Sequence, residues 1–331
     1  MRILITGGAG FIGSHIVKSL VDKGEEVIIY DNFSTGLSDN LDDIKSDRIE
    51  IIEGDILDYH ALSEATNNVD IISHHAAQLE IFVGVDEPER DLSVNTIGTL
   101  NVLKAAKNSN VKKVINASSA CIYGQTDSLT KEDDPTDPNW AYGVSKLAAE
   151  KYANIYSKYK DLPVTNLRYG IVYGEKEWYR RVLPIFIKKI LNNESPVVFS
   201  KGNQVRDFIY VGDIVDLHNI CLYDSVANSE TFNVGTGKPT TILELAKTAC
   251  RLAEQDIEVT FEDLKEGEFS SLVEGKKRNI DELGVMLLNI DKAKNILGWE
   301  PKTSLIEGMK KEYDWAKDHL DRWDKIFSTK W

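Results

Sequence analysis

The chain's 331 residues, 42% of them hydrophobic, suffice for one large domain or two with a substantial core. Lys and Arg number 39 against 53 Asp and Glu, a formal net charge of −14, which argues against nonspecific binding to nucleic acid or anionic lipid. An anionic substrate would then need a local arginine cluster, for which Arg180, Arg181, Arg206 and Arg278 are candidates.

Residues 3–29 hold a complete nucleotide-binding unit. Ile3-Leu4-Ile5 predicts a short buried strand, Thr6 to Gly13 a glycine-rich loop, Ser14 to Lys23 a helix stopped by Gly24, and Val27 to Tyr30 the next strand. Gly7, Gly10 and Gly13, with Phe11 and Ile12 between them, let the backbone turn tightly and approach a pyrophosphate. The helix that follows presents free N–H groups to the anion. Asp31 closes the second strand eighteen residues after Gly13, placed to take ribose hydroxyls; its charge would repel a 2′-phosphate, so NAD is favoured over NADP.

Ile49–Glu53, Ile71–His74, Lys113–Ala117 and Val164–Arg168 read as further strands alternating with helical stretches. That alternation argues an α/β fold: a Rossmann-type, doubly wound parallel sheet covered on both faces. Pro88–Asn108 and Tyr142–Tyr159 read as long amphipathic helices, and Gln125–Trp140 as a loop. After Gly174 the pattern changes to a helix at Val182–Leu191, a strand at Val197–Phe199 and a mixed region from Lys238. Asp207–Val215 and Thr231–Gly235 are expected to return to the sheet domain. The expected organisation is a cofactor domain of residues 1–173 with 205–237, interleaved with a smaller α/β substrate domain of 174–204 and 238–331. Cys121, Cys221 and Cys250 are widely spaced and form no C-x-x-C, and His74 and His75 sit at a strand end, so no metal site is expected. No apolar run approaches a membrane span and Met1 leads straight into the first strand, so a soluble cytoplasmic protein is expected.

Tyr142 and Lys146 lie four positions apart and share a helical face. A free phenol ionises near ~10, and a neighbouring ammonium favours its anion. The pair suits proton removal from an alcohol.

The glycine spacing, Asp55-Ile56, His75-Ala76-Ala77-Gln78, Asn95 before Gly98-Thr99, Ala117-Ser118-Ser119, Tyr142/Lys146 and Arg206-Asp207-Phe208-Ile209 recur in one order. Along nearly its whole length the chain resembles the extended short-chain dehydrogenases/reductases, in the NAD-dependent nucleotide-sugar epimerase/dehydratase group. The resemblance implies Tyr142 as base, Lys146 as its modulator and nicotinamide-ribose ligand, and Ser119 as the hydroxyl that orients the substrate oxygen. It assigns Asp31 and Asn32 to the adenosine ribose, Asp55 and Ile56 to adenine, and Ala76, Ala77 and Gln78 to the cofactor wall. Asn95 would tie the sheet to the catalytic helix. For the substrate it implies a nucleoside diphosphate sugar, with Arg206 and Arg278 on the diphosphate and Val198-Phe199 flanking the base. Helices 88–108 and 142–159 would form a homodimer interface.

Departures from the pattern leave nucleotide and sugar open. Ile171 and Arg181 stand where asparagines are usual, Glu80 where small residues or Lys are, and Met286 falls at the pocket gatekeeper. The implied reaction is inversion at carbon 4, UDP-glucose to UDP-galactose, through a 4-keto sugar with NAD retained. Dehydratase and decarboxylase relatives carry an acid two positions after the residue matching Ser119, where this chain has Ala120-Cys121. That string also resembles GDP-sugar 3,5-epimerases, whose cysteine is an acid/base; Arg180 stands here where they carry Lys or His, and Cys121 is otherwise a small apolar filler. A 4-dehydrogenase of a nucleotide sugar is a further alternative.

Overall fold

The computed structural model describes residues 1–177 and 180–328. In chain order the first half runs β1 (Arg2–Thr6), α1 (Phe11–Asp22), β2 (Glu26–Asp31), β3 (Ile49–Glu53), α2 (Tyr59–Ala65), β4 (Ile71–His74), α3 (Ile81–Asp86), α4 (Pro88–Asp91), α5 (Thr99–Asn108), β5 (Lys113–Ser119), α6 (Ala141–Tyr159) and β6 (Val164–Tyr169). The second half runs β7 (Ile171–Tyr173), α7 (Val182–Leu191), β8 (Val197–Phe199), β9 (Val205–Arg206), β10 (Phe208–Tyr210), α8 (Val211–Tyr223), β11 (Thr231–Val234), β12 (Thr240–Thr241), α9 (Ile242–Cys250), β13 (Thr260–Glu262), β14 (Val285–Met286), α10 (Asp291–Leu297) and α11 (Leu305–Ser328).

Seven strands form one sheet in the order β11-β6-β5-β4-β1-β2-β3. Every neighbouring pair is parallel. Alternation along the strands fills two cores. Ile3, Ile5, Val27, Ile29 and Ile115 face one way, with Ile16, Val17 and Leu20 of α1 and Ile214 and Leu217 of α8. Leu4, Ile28, Tyr30, Ile72 and Val114 face the other, with Leu62 of α2, Val102 and Leu103 of α5 and Ala153 of α6. Full burial of such side chains is worth roughly 1.5–3 kcal/mol each, which is why nearly continuous apolar strands suit a sheet covered on both faces. Strand order reverses between β1 and β4, and ligands of such sheets bind at the carboxyl ends beside that reversal.

Asp207–Val215 adds no strand to the main sheet, since β10 pairs with β7 in a separate two-stranded sheet, but Ile209, Ile214 and Val215 enter the core beside α1, and β11 joins the main sheet. Pro88–Asn108 is helical throughout but not uniformly α, because Leu92–Gly98 is a π-helical segment between α4 and α5. There Thr99 Oγ1 donates to the Asn95 carbonyl at 2.6 Å, and the widened turn leaves Asn95 buried against the catalytic helix.

The smaller sheets pair β8 with β13, and β9 with β12 and β14. Leu183, Phe186, Ile187 and Ile190 of α7, Leu245 and Ala249 of α9, and Met309 and Tyr313 of α11 pack into one apolar cluster beneath them.

Candidate active site

A cavity of about 530 Å³ opens at the carboxyl ends of β1, β2, β4 and β5. Its wall includes Gly7, Gly10, Phe11, Ile12 and Gly13 at one end, and Ser119, Cys121, Tyr142, Lys146, Arg181 and Met286 at the other. Asp31, Asn32, Asp55, Ile56, Ala76, Ala77, Gln78 and Glu80 also line it.

The glycine loop closes on itself: Gly10 N donates to Gly7 O at 3.1 Å, and Gly7 adopts a left-handed φ of 70°. A Cβ on Gly13 would sit 2.1 Å from the Gly7 carbonyl, whereas one on Gly10 would meet only that carbonyl, at 3.1 Å. The missing Gly10 side chain therefore leaves the mouth of α1 open, and no side chain caps that helix. Its first N–H groups are available to a pyrophosphate. Asp31 accepts from the Ala9 and Phe33 amides, both at 2.9 Å, and burial raises its pKa above the usual carboxylate value. Asn32 Nδ2 donates to Asp55 Oδ2 at 3.0 Å. An open helix terminus followed by a fixed carboxylate at the end of β2 fits a dinucleotide without a 2′-phosphate.

Asn95 lies behind this wall rather than on it. Its Oδ1 accepts from Gln78 N at 2.9 Å, and its Nδ2 donates to Gln78 O at 3.0 Å, Asp91 Oδ1 at 2.9 Å and Ser145 Oγ at 3.0 Å. It thus joins the loop after β4 to the helix carrying Tyr142, one turn before Ser145, and Lys146, the residue after it. His74 is held between Thr6 Oγ1 and Thr99 Oγ1, and burial lowers its pKa to about 3.

Ser119 ends β5; its Oγ accepts from Cys121 N at 3.2 Å, and it lines the cavity with Tyr142. Burial pushes Tyr142 up to about 12, with the Cys121 and Asp91 charges acting the same way and Ser119 and Arg181 opposing. Lys146 Nζ donates to the Ala117 carbonyl. Burial lowers Lys146 to about 8, against the pull of Glu150. Burial also raises Cys121, so its thiol is neutral at ordinary pH.

Several expected substrate ligands stand off the cavity wall. Arg206 donates to the Val205 carbonyl at 2.9 Å and lies in the field of Glu282. Arg278 is held by Glu282 at 3.3 Å, Ser200 Oγ at 2.7 Å and the Leu264 carbonyl. Val198 is buried in the cluster under α7, and Phe199 is half-buried against Ile185, Val197 and Val273. Arg180 offers its carbonyl to Lys276 Nζ at 3.0 Å.

Sequence reasoning missed the buried charges behind the cavity wall. Behind Ser119, Glu150 accepts from Ser118 Oγ at 2.6 Å and from Arg168 Nε at 3.0 Å and Nη2 at 2.6 Å. Arg168 Nη1 reaches Tyr123 OH at 2.5 Å and Glu132 O at 2.8 Å. Glu150 sits one turn beyond Lys146, the one sequence clue to it. Glu177 lines the cavity, as Arg181 does, and lies in the field of buried Glu312 of α11. Burial together with mutual repulsion holds Glu312 well above the carboxylate range, and burial does the same to Glu177; no motif marks either.

One cavity thus runs from an open glycine loop to a serine, a tyrosine and a lysine, and the comparisons place that arrangement in a family. Residues 3–235 match the NAD-dependent epimerase/dehydratase family, and the chain belongs to it. A Methanocaldococcus jannaschii protein provisionally named UDP-glucose 4-epimerase is 36% identical, over 96% of this chain and 99% of its own. A crystal structure of Thermotoga maritima UDP-glucose 4-epimerase with UDP-glucose superposes with a TM-score of 0.87 at 32% identity, covering 97% of this chain and 100% of that one. A Bacillus cytotoxicus UDP-N-acetyl-alpha-D-glucosaminuronate decarboxylase is 32% identical, over 96% of this chain and 98% of its own. The family is enzymatic and uses NAD, while its members' reactions differ. No described helix is long and apolar enough to cross a membrane.

Proposed function

We propose that the chain is an NAD-dependent nucleotide-sugar 4-epimerase of the UDP-glucose/UDP-galactose type. One observation carries the reading: Ser119 and Tyr142 line the cavity together, and two positions after Ser119 the same wall carries Cys121 rather than a carboxylate. The glycine loop, Asp31 and Lys146 would hold NAD, which supplies a reversible hydride acceptor when bound. Tyr142 takes the proton from the sugar's 4-hydroxyl, with Ser119 sharing it and fixing the oxygen. The 4-keto sugar turns over in the cavity, and Tyr142 returns the proton with the opposite configuration at carbon 4. Elimination or decarboxylation lacks its usual acid here. NMR of the sugar ring after incubation with UDP-glucose, UDP-galactose and their N-acetyl forms tests the reading; no inversion of any of them contradicts it.

A second reading, a GDP-sugar 3,5-epimerase, draws on Cys121, which lines the same cavity. Its neutral thiol could donate a proton, but Arg180 in place of a Lys or His leaves the opposite face without a proton acceptor. A homodimer is part of the proposal. Val144, Tyr152, Ile155 and Tyr159 of α6 and Leu92 and Ile97 of the π-helical segment are exposed apolar side chains, in keeping with a helical interface. Light scattering that gives a monomer mass at micromolar concentration would exclude it.

A further inference from the structure

The segment between β2 and β3 folds over the glycine-loop end of the cavity. Asn32, Ser34, Thr35 and Gly36 line the wall there with Asp31. The approach is close: a Cβ on Gly36 would meet both Asp31 carboxylate oxygens at 2.9 Å and the Ala9 Cβ at 3.0 Å. Two bonds tie this strap to the glycine loop. Leu37 N donates to the Ala9 carbonyl at 3.0 Å, and Asn40 Nδ2 donates to the same oxygen at 2.9 Å. Asn40 is buried within the short 3₁₀ helix Ser38–Leu41. A dinucleotide held by Asp31 and the glycine loop has this strap against it, and its release requires the strap to lift.

The fastening comes from a distant part of the chain. Lys176, between β7 and α7, donates from Nζ to the Asn40 carbonyl at 2.8 Å and to Asp43 Oδ1 at 2.7 Å. Its side chain is only 6% exposed while that of Asp43 is 52% exposed, so a strongly hydrated cation is drawn into the fold to reach a backbone oxygen. The backbone is bent to allow it. Lys176 has a left-handed φ of 69°, a conformation that costs a residue with a side chain and persists only where its surroundings fix it. Both neighbours are fixed. The Glu175 carbonyl accepts from His15 Nε2 at 2.8 Å and its carboxylate from the Tyr210 hydroxyl at 3.0 Å, while the Glu177 carbonyl accepts from Trp323 Nε1 at 3.1 Å. Arg322 of α11 adds an ion pair to Asp42 at 3.7 Å. Lys176 is not part of the cavity wall itself, so its effect on a cofactor passes through the strap.

We propose that Lys176 is a positioning residue that latches the strap over bound NAD and thereby sets how slowly the cofactor leaves. The latch needs only the family's use of NAD and no particular sugar reaction, so it stands or falls apart from the carbon-4 reading. Loading the protein with NADH, chasing with excess NAD and following the loss of NADH fluorescence gives the release rate without any sugar present. Lys176→Met is expected to release the cofactor about ten-fold faster or more, the worth of one charge-assisted hydrogen bond lost from the closed strap. Lys176→Arg keeps a charged donor and should stay nearer wild type. Hydrogen exchange of the NAD-loaded protein should quicken in the 34–43 segment of Lys176→Met and be unchanged in the main sheet, with the urea midpoint little moved. Release from Lys176→Met within about two-fold of wild type overturns the proposal. Faster release accompanied by faster exchange throughout the sheet and a lowered urea midpoint also overturns it, because the lysine then serves general stability. Should Lys176→Met fail to fold, Asp43→Ala at its exposed position carries the test: faster release supports the latch, and a rate equal to wild type overturns it.

Discussion

Removing one partner of the Arg168–Glu150 pair is expected to be among the most damaging single changes near the site. Glu150 is fully buried and Arg168 nearly so, and the two meet through parallel bonds of 2.6 and 3.0 Å. Arg168→Met would leave the Glu150 carboxylate with only the Ser118 hydroxyl; Glu150→Met would leave a buried guanidinium on Tyr123 and the Glu132 carbonyl. Either single change should cost roughly 3–5 kcal/mol, most of it from the stranded charge. The double replacement strands no charge, so its cost should fall short of the summed singles by about 2 kcal/mol or more. Equilibrium urea unfolding of the four proteins at one concentration and with matched slopes measures the cycle. Single costs below about 1 kcal/mol, or additivity within ~0.5 kcal/mol, would refute the reasoning.

Gly13→Ala places a Cβ 2.1 Å from the Gly7 carbonyl and 2.9 Å from Gly8 Cα, so the loop must shift and NAD should bind about ten-fold more weakly or worse by fluorescence titration. Unchanged affinity would remove the loop from the cofactor site. Tyr142→Phe should lower turnover about 10²–10⁴-fold while NAD still binds; near-normal turnover would take the phenol out of the mechanism. Glu312 binds a proton more tightly in the folded chain than in the unfolded one, so its contribution to stability is present at low pH and declines as pH rises from the ordinary carboxylate range through neutrality. Glu312→Gln keeps the neutral form at every pH, and should stabilise relative to wild type more at pH 8 than at pH 6 in urea titrations. An equal difference at both would mean that Glu312 is not held protonated.

What could be read in advance followed local periodicity. β3, β4, α7 and β8 have the bounds their apolar runs predict, because each run ends at turn residues or charges. β5 and β6 run slightly longer, since Ser118, Ser119 and Tyr169 continue the ladder on backbone bonds that side-chain polarity does not reveal. The π-helical segment was hidden because one extra residue in a turn barely disturbs a helical apolar pattern. Pairing across distance was hidden too: nothing local says that β10 takes β7 as its partner, that Glu282 engages Arg278, or that Lys146 turns to Ala117. Chemistry-bearing residues in recurring motifs were legible. Glu177 and Glu312, 135 positions apart and joined only by the fold, were not.

The central claim is that hydrogen leaves carbon 4 and returns to carbon 4 within one closed cavity, with only the hydroxyl proton passing through Tyr142. Turnover of the accepted nucleotide sugar in D₂O, read by NMR of the product ring, tests it most directly. The account predicts an inverted carbon 4 and no deuterium on any ring carbon. Deuterium at carbon 3 or 5, lost on Cys121→Ser, would contradict it and establish the 3,5-epimerase reading instead.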